Sequence, residues 1–138
     1  MLDRILKEYP SQVRLVFKDF PLDFHALARS AHEAARCAGA AGKYWEYHDR
    51  LFAAQPAFSR DDLIRYAAEL GIAREPFVQC LDSRRFRALI ETDIQEGLQA
   101  GIRGTPTFFV NGRPLAGAAP YEAFKELIEE ALRERTGR

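Results

Sequence analysis

The 138 residues suit one domain large enough to bury a core, and a 47% apolar fraction excludes disorder as the main state. Lysine plus arginine (20) balance aspartate plus glutamate (20), so the basic excess of a nucleic-acid module or membrane-surface binder is missing; neither partner is expected. No apolar run approaches the length of a bilayer-crossing helix.

The N-terminal MLDRILKEYP is not a signal peptide, because Asp3, Arg4, Lys7 and Glu8 interrupt what should be its apolar segment. As written, the chain is expected to stay in the cytosol. Leu2, Ile5 and Leu6 predict a helix of about two turns that Pro10 stops. Val13 to Phe17, VRLVF, is short, apolar and β-branched, as a buried parallel strand would be.

From Phe24 to Ala38 the set Phe24, Leu27, Ala28, Ala31, Ala35 and Ala38 keeps a period near 3.6, and its alanines imply close helix packing. KYWEYHDRLFAAQ predicts a second helix with Trp45, His48, Leu51 and Phe52 on one side. Ser59 with Asp61 and Asp62 predicts a capped helix start, and Gly71 its left-handed stop. REPFVQCLD reads as a short helix with Pro76 in its first turn, and Phe86 to Ala100 as a longer one that Gly101 ends. TFFV and RPLA flank Asn111-Gly112, whose tolerance of positive φ makes it the strongest hairpin signal in the chain; Pro114 marks an edge strand. Tyr121 to Leu132 closes the chain as an amphipathic helix with Phe124, Leu127, Ile128 and Ala131 inward. The order is helix, strand, helical block, hairpin, helix, which suits an α/β core carrying a helical insertion.

Residues with chemical potential are few. Cys37 and Cys80 are too few for a zinc site, and no C-x-x-C occurs. The two read either as buried unpaired thiols or as a structural disulfide between insertion helices. His25, His32 and His48 lack metal-ligand spacing, so no metal is expected. Glu91, Asp93 and Glu96 read as an acidic solvated face. Phe20, Phe24, Trp45, Tyr47 and Phe52 read as core or as the domain interface.

The segments VRLVFKDFPLDFHALARSAHEAARCAG, GKYWEYHDRLFAAQ, FVQCLDSRRF and GIRGTPTFFVNGRPLAGAAPYEAFKELI resemble, in that order, the DsbA-like branch of the thioredoxin superfamily, which makes and breaks protein disulfides. The resemblance implies a thioredoxin-like α/β core at 1–21 and 102–138 with a helical insertion at 22–101. It implies that Thr105-Pro106 is a cis bond and that Gly104, Thr105 and Pro106 hold an extended substrate, with His25 lining the groove. In the family a central strand and a C-x-x-C precede the residues matched here, so the first strand is missing from this chain and no catalytic cysteine is assigned. The implied activity is protein thiol-disulfide exchange, in truncated form and inactive as given. Alternatives are a redox-inactive peptide-binding module, or a glutathione-using isomerase or transferase relative. Implied partners are an extended protein or peptide substrate, a redox partner protein, and a homo-oligomer that completes the sheet; no cofactor is implied. If the native N-terminus lies upstream, the expected location is extracytoplasmic.

Overall fold

The computed structural model describes residues 1–136. Its elements are α1 (Leu2–Glu8), α2 (Ala28–Ala40), α3 (Tyr44–Ala54), α4 (Arg60–Glu69), α5 (Arg74–Asp82), α6 (Arg87–Gln99), β1 (Thr107–Val110), β2 (Arg113–Ala116) and α7 (Tyr121–Thr136). They fall into two compact units, Asp19–Gln99 and Met1–Lys18 with Ala100–Arg138.

The unit Asp19–Gln99 is all helical. Buried Ala31, Ala34, Ala35 and Ala38 give α2 a smooth stripe that other helices approach closely. Helix α4 begins with a capping box: Ser59 Oγ accepts from the Asp62 N–H at 3.1 Å, and the Asp62 carboxylate accepts from the Ser59 N–H at 3.3 Å. Gly71, at φ +74°, stops it in the left-handed region. Leu63, Ile64, Tyr66 and Ala67 then pack with Tyr47, Leu51, Phe77 and the alanine stripe into one core.

Three expectations fail in this unit. Helix α2 starts at Ala28, because 22–27 close two turns instead, His25 N–H to Leu22 C=O and Ala28 N–H to His25 C=O. The inward face of α3 is Tyr47 with Leu51, while Trp45 and Phe52 are 42% and 58% exposed. The Tyr47 hydroxyl, which donates to Leu63 C=O at 2.8 Å, makes burial of that ring favourable. Phe24 is 78% exposed and belongs to no core.

The other unit packs α1 and the hairpin on α7. Ile5, Tyr9, Phe124 and Ile128 are its buried centre, with Val13, Phe108, Val110 and Leu115 against them; the Phe108 and Phe124 rings meet edge to face at 4.8 Å. The hairpin turns on Asn111 and Gly112, at φ +47° and +84°, with Val110 paired to Arg113, as the sequence predicts. The expected strand VRLVF is not a strand among the described residues. Exposure alternates along it, but among the described residues the one sheet has two strands, β1 and β2. A ladder needs two segments, and among the described residues no strand pairs with this one.

Candidate functional site

Gly104 to Gly112 forms the feature best suited to hold a ligand. The bond between Thr105 and Pro106 is cis. The turn is closed from within: Thr107 Oγ1 donates to Gly104 C=O at 2.7 Å, and Gly117 N–H donates to Pro106 C=O at 2.9 Å. Among the described residues, no hydrogen bond reaches the N–H or C=O of Thr105, which borders a recess of about 420 Å³ lined also by Arg103, Pro106, Phe109, Pro114 and Ala116. Arg103 is the one titratable side chain in that lining. The loop therefore offers backbone donors and acceptors beside an apolar wall. It can hold an extended chain, and it contains no nucleophile and no acid-base pair.

The structure does not bring His25 into this loop's unit. It sits in an exposed turn of the helical unit, against Phe24 with ring centroids 4.5 Å apart. Cys37 and Cys80 are joined as a disulfide, with Cα atoms 5.9 Å apart, and both lie in the helical unit's core at 3% and 7% exposure. Of the two readings for these cysteines, the structure has the disulfide, and it places it between α2 and α5, within the helical unit. No free cysteine and no group of three or more metal-ligating side chains occurs among the described residues.

A second polar cluster was not foreseen. Asp19, at 1% exposure, accepts from His32 Nδ1 and from Arg36 Nε, each at 2.7 Å. A second Arg36 nitrogen donates to Asp93 Oδ2 at 2.7 Å, and the Asp19 N–H donates to the same oxygen at 2.9 Å. Burial by itself pushes the Asp19 carboxyl up, but the hydrogen bonds and charges of His32 and Arg36 together outweigh it and hold the carboxyl below its ordinary range. The same cluster helps keep the Tyr44 phenol protonated: burial raises its pKa first, and the Asp19 charge adds to it. Asp93 thus corrects the reading of an acidic solvated face. It lies on the buried stripe of α6 with Ile90 and Gly97, and that i, i+3, i+7 spacing was the signal available in the sequence.

The thioredoxin family profile matches residues 1–130. The chain belongs to the thioredoxin superfamily, in its DsbA-like branch. The domain is also similar to part of several longer proteins. It is 39% identical over 129 residues to the Na(+)/H(+) antiporter NhaA 3 of Salinispora tropica, covering 93% of this chain and 20% of that one. It is 33% identical over 131 residues to the Na(+)/H(+) antiporter NhaA of Herminiimonas arsenicoxydans, covering 95% and 21% respectively. With that of Nitrosospira multiformis the identity is 31% over 125 residues, covering 90% and 20%. The thioredoxin-like domain spans about a fifth of the length of these relatives. No solved structure matches it. Among the described residues, no helix is long and apolar enough to cross a membrane.

Proposed function

We propose that this thioredoxin-like domain serves protein thiol-disulfide exchange as a substrate-holding module, with Thr105 and Pro106 receiving an extended polypeptide. The observation that carries the reading is the Thr105 peptide, whose N–H and C=O have no partner among the described residues and border an apolar recess, in a domain of a family that handles protein disulfides. In disulfide exchange a thiolate attacks a disulfide sulfur, the attacked S–S bond breaks, and its other sulfur leaves as a thiolate. The attacking thiol must come from outside the described residues, since both cysteines are bonded and buried. The role left to these residues is to orient the substrate's backbone.

The test has two readouts on the purified chain. In insulin reduction by dithiothreitol, the chain is expected to give no acceleration beyond a Cys37→Ser, Cys80→Ser variant. With a reduced and alkylated unfolded protein as probe, amide NMR shifts are expected at Gly104–Thr107 and are lost in Pro106→Ala. Turnover above the cysteine-free variant overturns the non-catalytic role, and an unmoved loop overturns the holding role.

A second reading comes from the relatives. Their names assign them Na(+)/H(+) antiport, and a domain like this one occupies about a fifth of their length. The domain would then be a redox-inactive accessory to an ion carrier. Proton-driven sodium exchange in vesicles bearing such a relative, measured with and without its thioredoxin-like part, separates the two. An accessory role predicts altered transport, and a disulfide-exchange role predicts none.

A further inference from the structure

The hairpin register sorts its side chains onto two faces. Phe108, Val110 and Leu115 pack on the cluster around Phe124 and Ile128. The alternate residues therefore turn the other way, with Phe109 paired to Pro114 and Thr107 to Ala116. These four form a wall of the recess beside Thr105, where the Phe109 ring is exposed.

The charge around this recess has one sign. No carboxylate lines it, and Arg103 is the cation at its rim. Other arginines of the same unit are neutralised: Arg4 stands 3.1 Å from Glu8, and Arg113 stands 3.0 Å from Glu130 and also against Glu134. Arg103 is exposed, and among the described residues it has no carboxylate, ring or hydrogen-bond partner. Thr107 has its hydroxyl on Gly104 C=O, whereas the exposed Thr105 hydroxyl has no partner among the described residues.

The occupant's chemistry follows from these groups taken together. A bare anion would satisfy Arg103 and leave the Thr105 C=O without a donor. A polypeptide satisfies both, because its residues carry N–H groups as well as carbonyls. We propose that the recess selects extended segments bearing an aspartate or glutamate side chain near an apolar one. The carboxylate pairs with the Arg103 guanidinium, whose planar fork suits it. The apolar side chain lies on Phe109 and Pro114, and the backbone bonds the Thr105 N–H and C=O. Alternate residues of an extended chain share a face and stand about 7 Å apart, so the acidic and apolar residues are expected two positions apart. This selectivity rests on the loop acting as a substrate holder, as proposed above, and adds a charge preference to that role.

The test uses the full chain at low salt and short peptides, acetylated and amidated so that their ends carry no charge. Each has one leucine and, two residues on, glutamate, glutamine or lysine. In NMR titrations the glutamate peptide is expected to move the Gly104–Thr107 amides and to bind about threefold more tightly than the glutamine peptide, the scale of one exposed ion pair. The preference should vanish in about 1 M salt, where charges are screened within a few ångströms. It should vanish also in Arg103→Gln, and Arg103→Glu should turn it toward the lysine peptide. Comparing peptides on the parent chain needs no variant to fold. Equal affinity for the glutamate and glutamine peptides at low salt overturns the charge preference and leaves the holding role standing. Loop amides unmoved by any of the peptides overturn both. A glutamate preference that survives Arg103→Gln belongs to another cation and also overturns the proposal.

Discussion

At the scale of single residues, Arg36 decides how the helical unit tolerates two buried carboxylates. It bonds Asp19 and Asp93 at once, and these residues are 1% and 8% exposed. Removing one member of a buried, hydrogen-bonded charge group leaves the others uncompensated, so Arg36→Ala is expected to lower stability at neutral pH by about 3 kcal/mol. The pH dependence has a definite sign. The folded pKa of Asp19 is depressed, so its contribution is present above the ordinary value of 3.8 and is lost as pH falls through the lower folded value. The deficit of Arg36→Ala relative to the parent should therefore narrow on acidification below about pH 4, as the Asp19 carboxyl takes up its proton. Urea denaturation of both proteins across that range checks it, and a deficit independent of pH would show that Arg36 acts by packing alone. Little in the residue order pointed to this cluster. Asp19, His32, Arg36 and Asp93 are scattered over 74 positions, and only the fold assembles them.

At the scale of elements, legibility depended on whether one residue type forces one backbone geometry. Gly71 and Asn111-Gly112 were readable because positive φ is costly for other residues, and Ser59 because its hydroxyl completes a cap. Helix α3 was not readable. Tyr44, Tyr47, Leu51 and Ala54 form one helical stripe, and Trp45, His48 and Phe52 form another beside it with equally good spacing. Periodicity cannot choose between two adjacent apolar stripes, and the Tyr47 hydroxyl bond to Leu63 decided it from outside the helix. VRLVF failed for the opposite reason, since its composition is that of a strand but strand pairing belongs to two segments at once. The capping box gives a measurable element-scale consequence. Ser59→Ala is expected to cost about 1 kcal/mol, while Ser59→Gly costs only a few tenths. Thermal or urea unfolding ranks the two, and equal losses would mean that the hydroxyl contributes nothing beyond backbone geometry.

At the scale of the whole molecule, the two units are stabilised by different means. The hairpin unit relies on a small apolar cluster around Ile5, Tyr9, Phe124 and Ile128, with an open strand edge. The helical unit has the larger core and is also cross-linked by Cys37–Cys80, which closes a loop of 43 residues between α2 and α5. In the chain-entropy account a loop of that length stabilises by about 4 kcal/mol, by restricting the unfolded chain. Such a cystine persists where the surroundings are oxidising. The thioredoxin-like domain therefore carries a buried disulfide, in a family known for disulfides that react, and a structural role is what its burial predicts. Two measurements separate those roles. Because both cysteines are buried, reduction under native conditions should be slow, and it should speed up sharply when denaturant opens the helices. A Cys37→Ser, Cys80→Ser variant should lose up to about 4 kcal/mol, with amide exchange accelerated mainly within Asp19–Gln99. A cystine reduced rapidly in the folded chain, or acceleration confined to Met1–Lys18 and Ala100–Thr136, would instead mean that the bond is accessible and acts on more than its own unit.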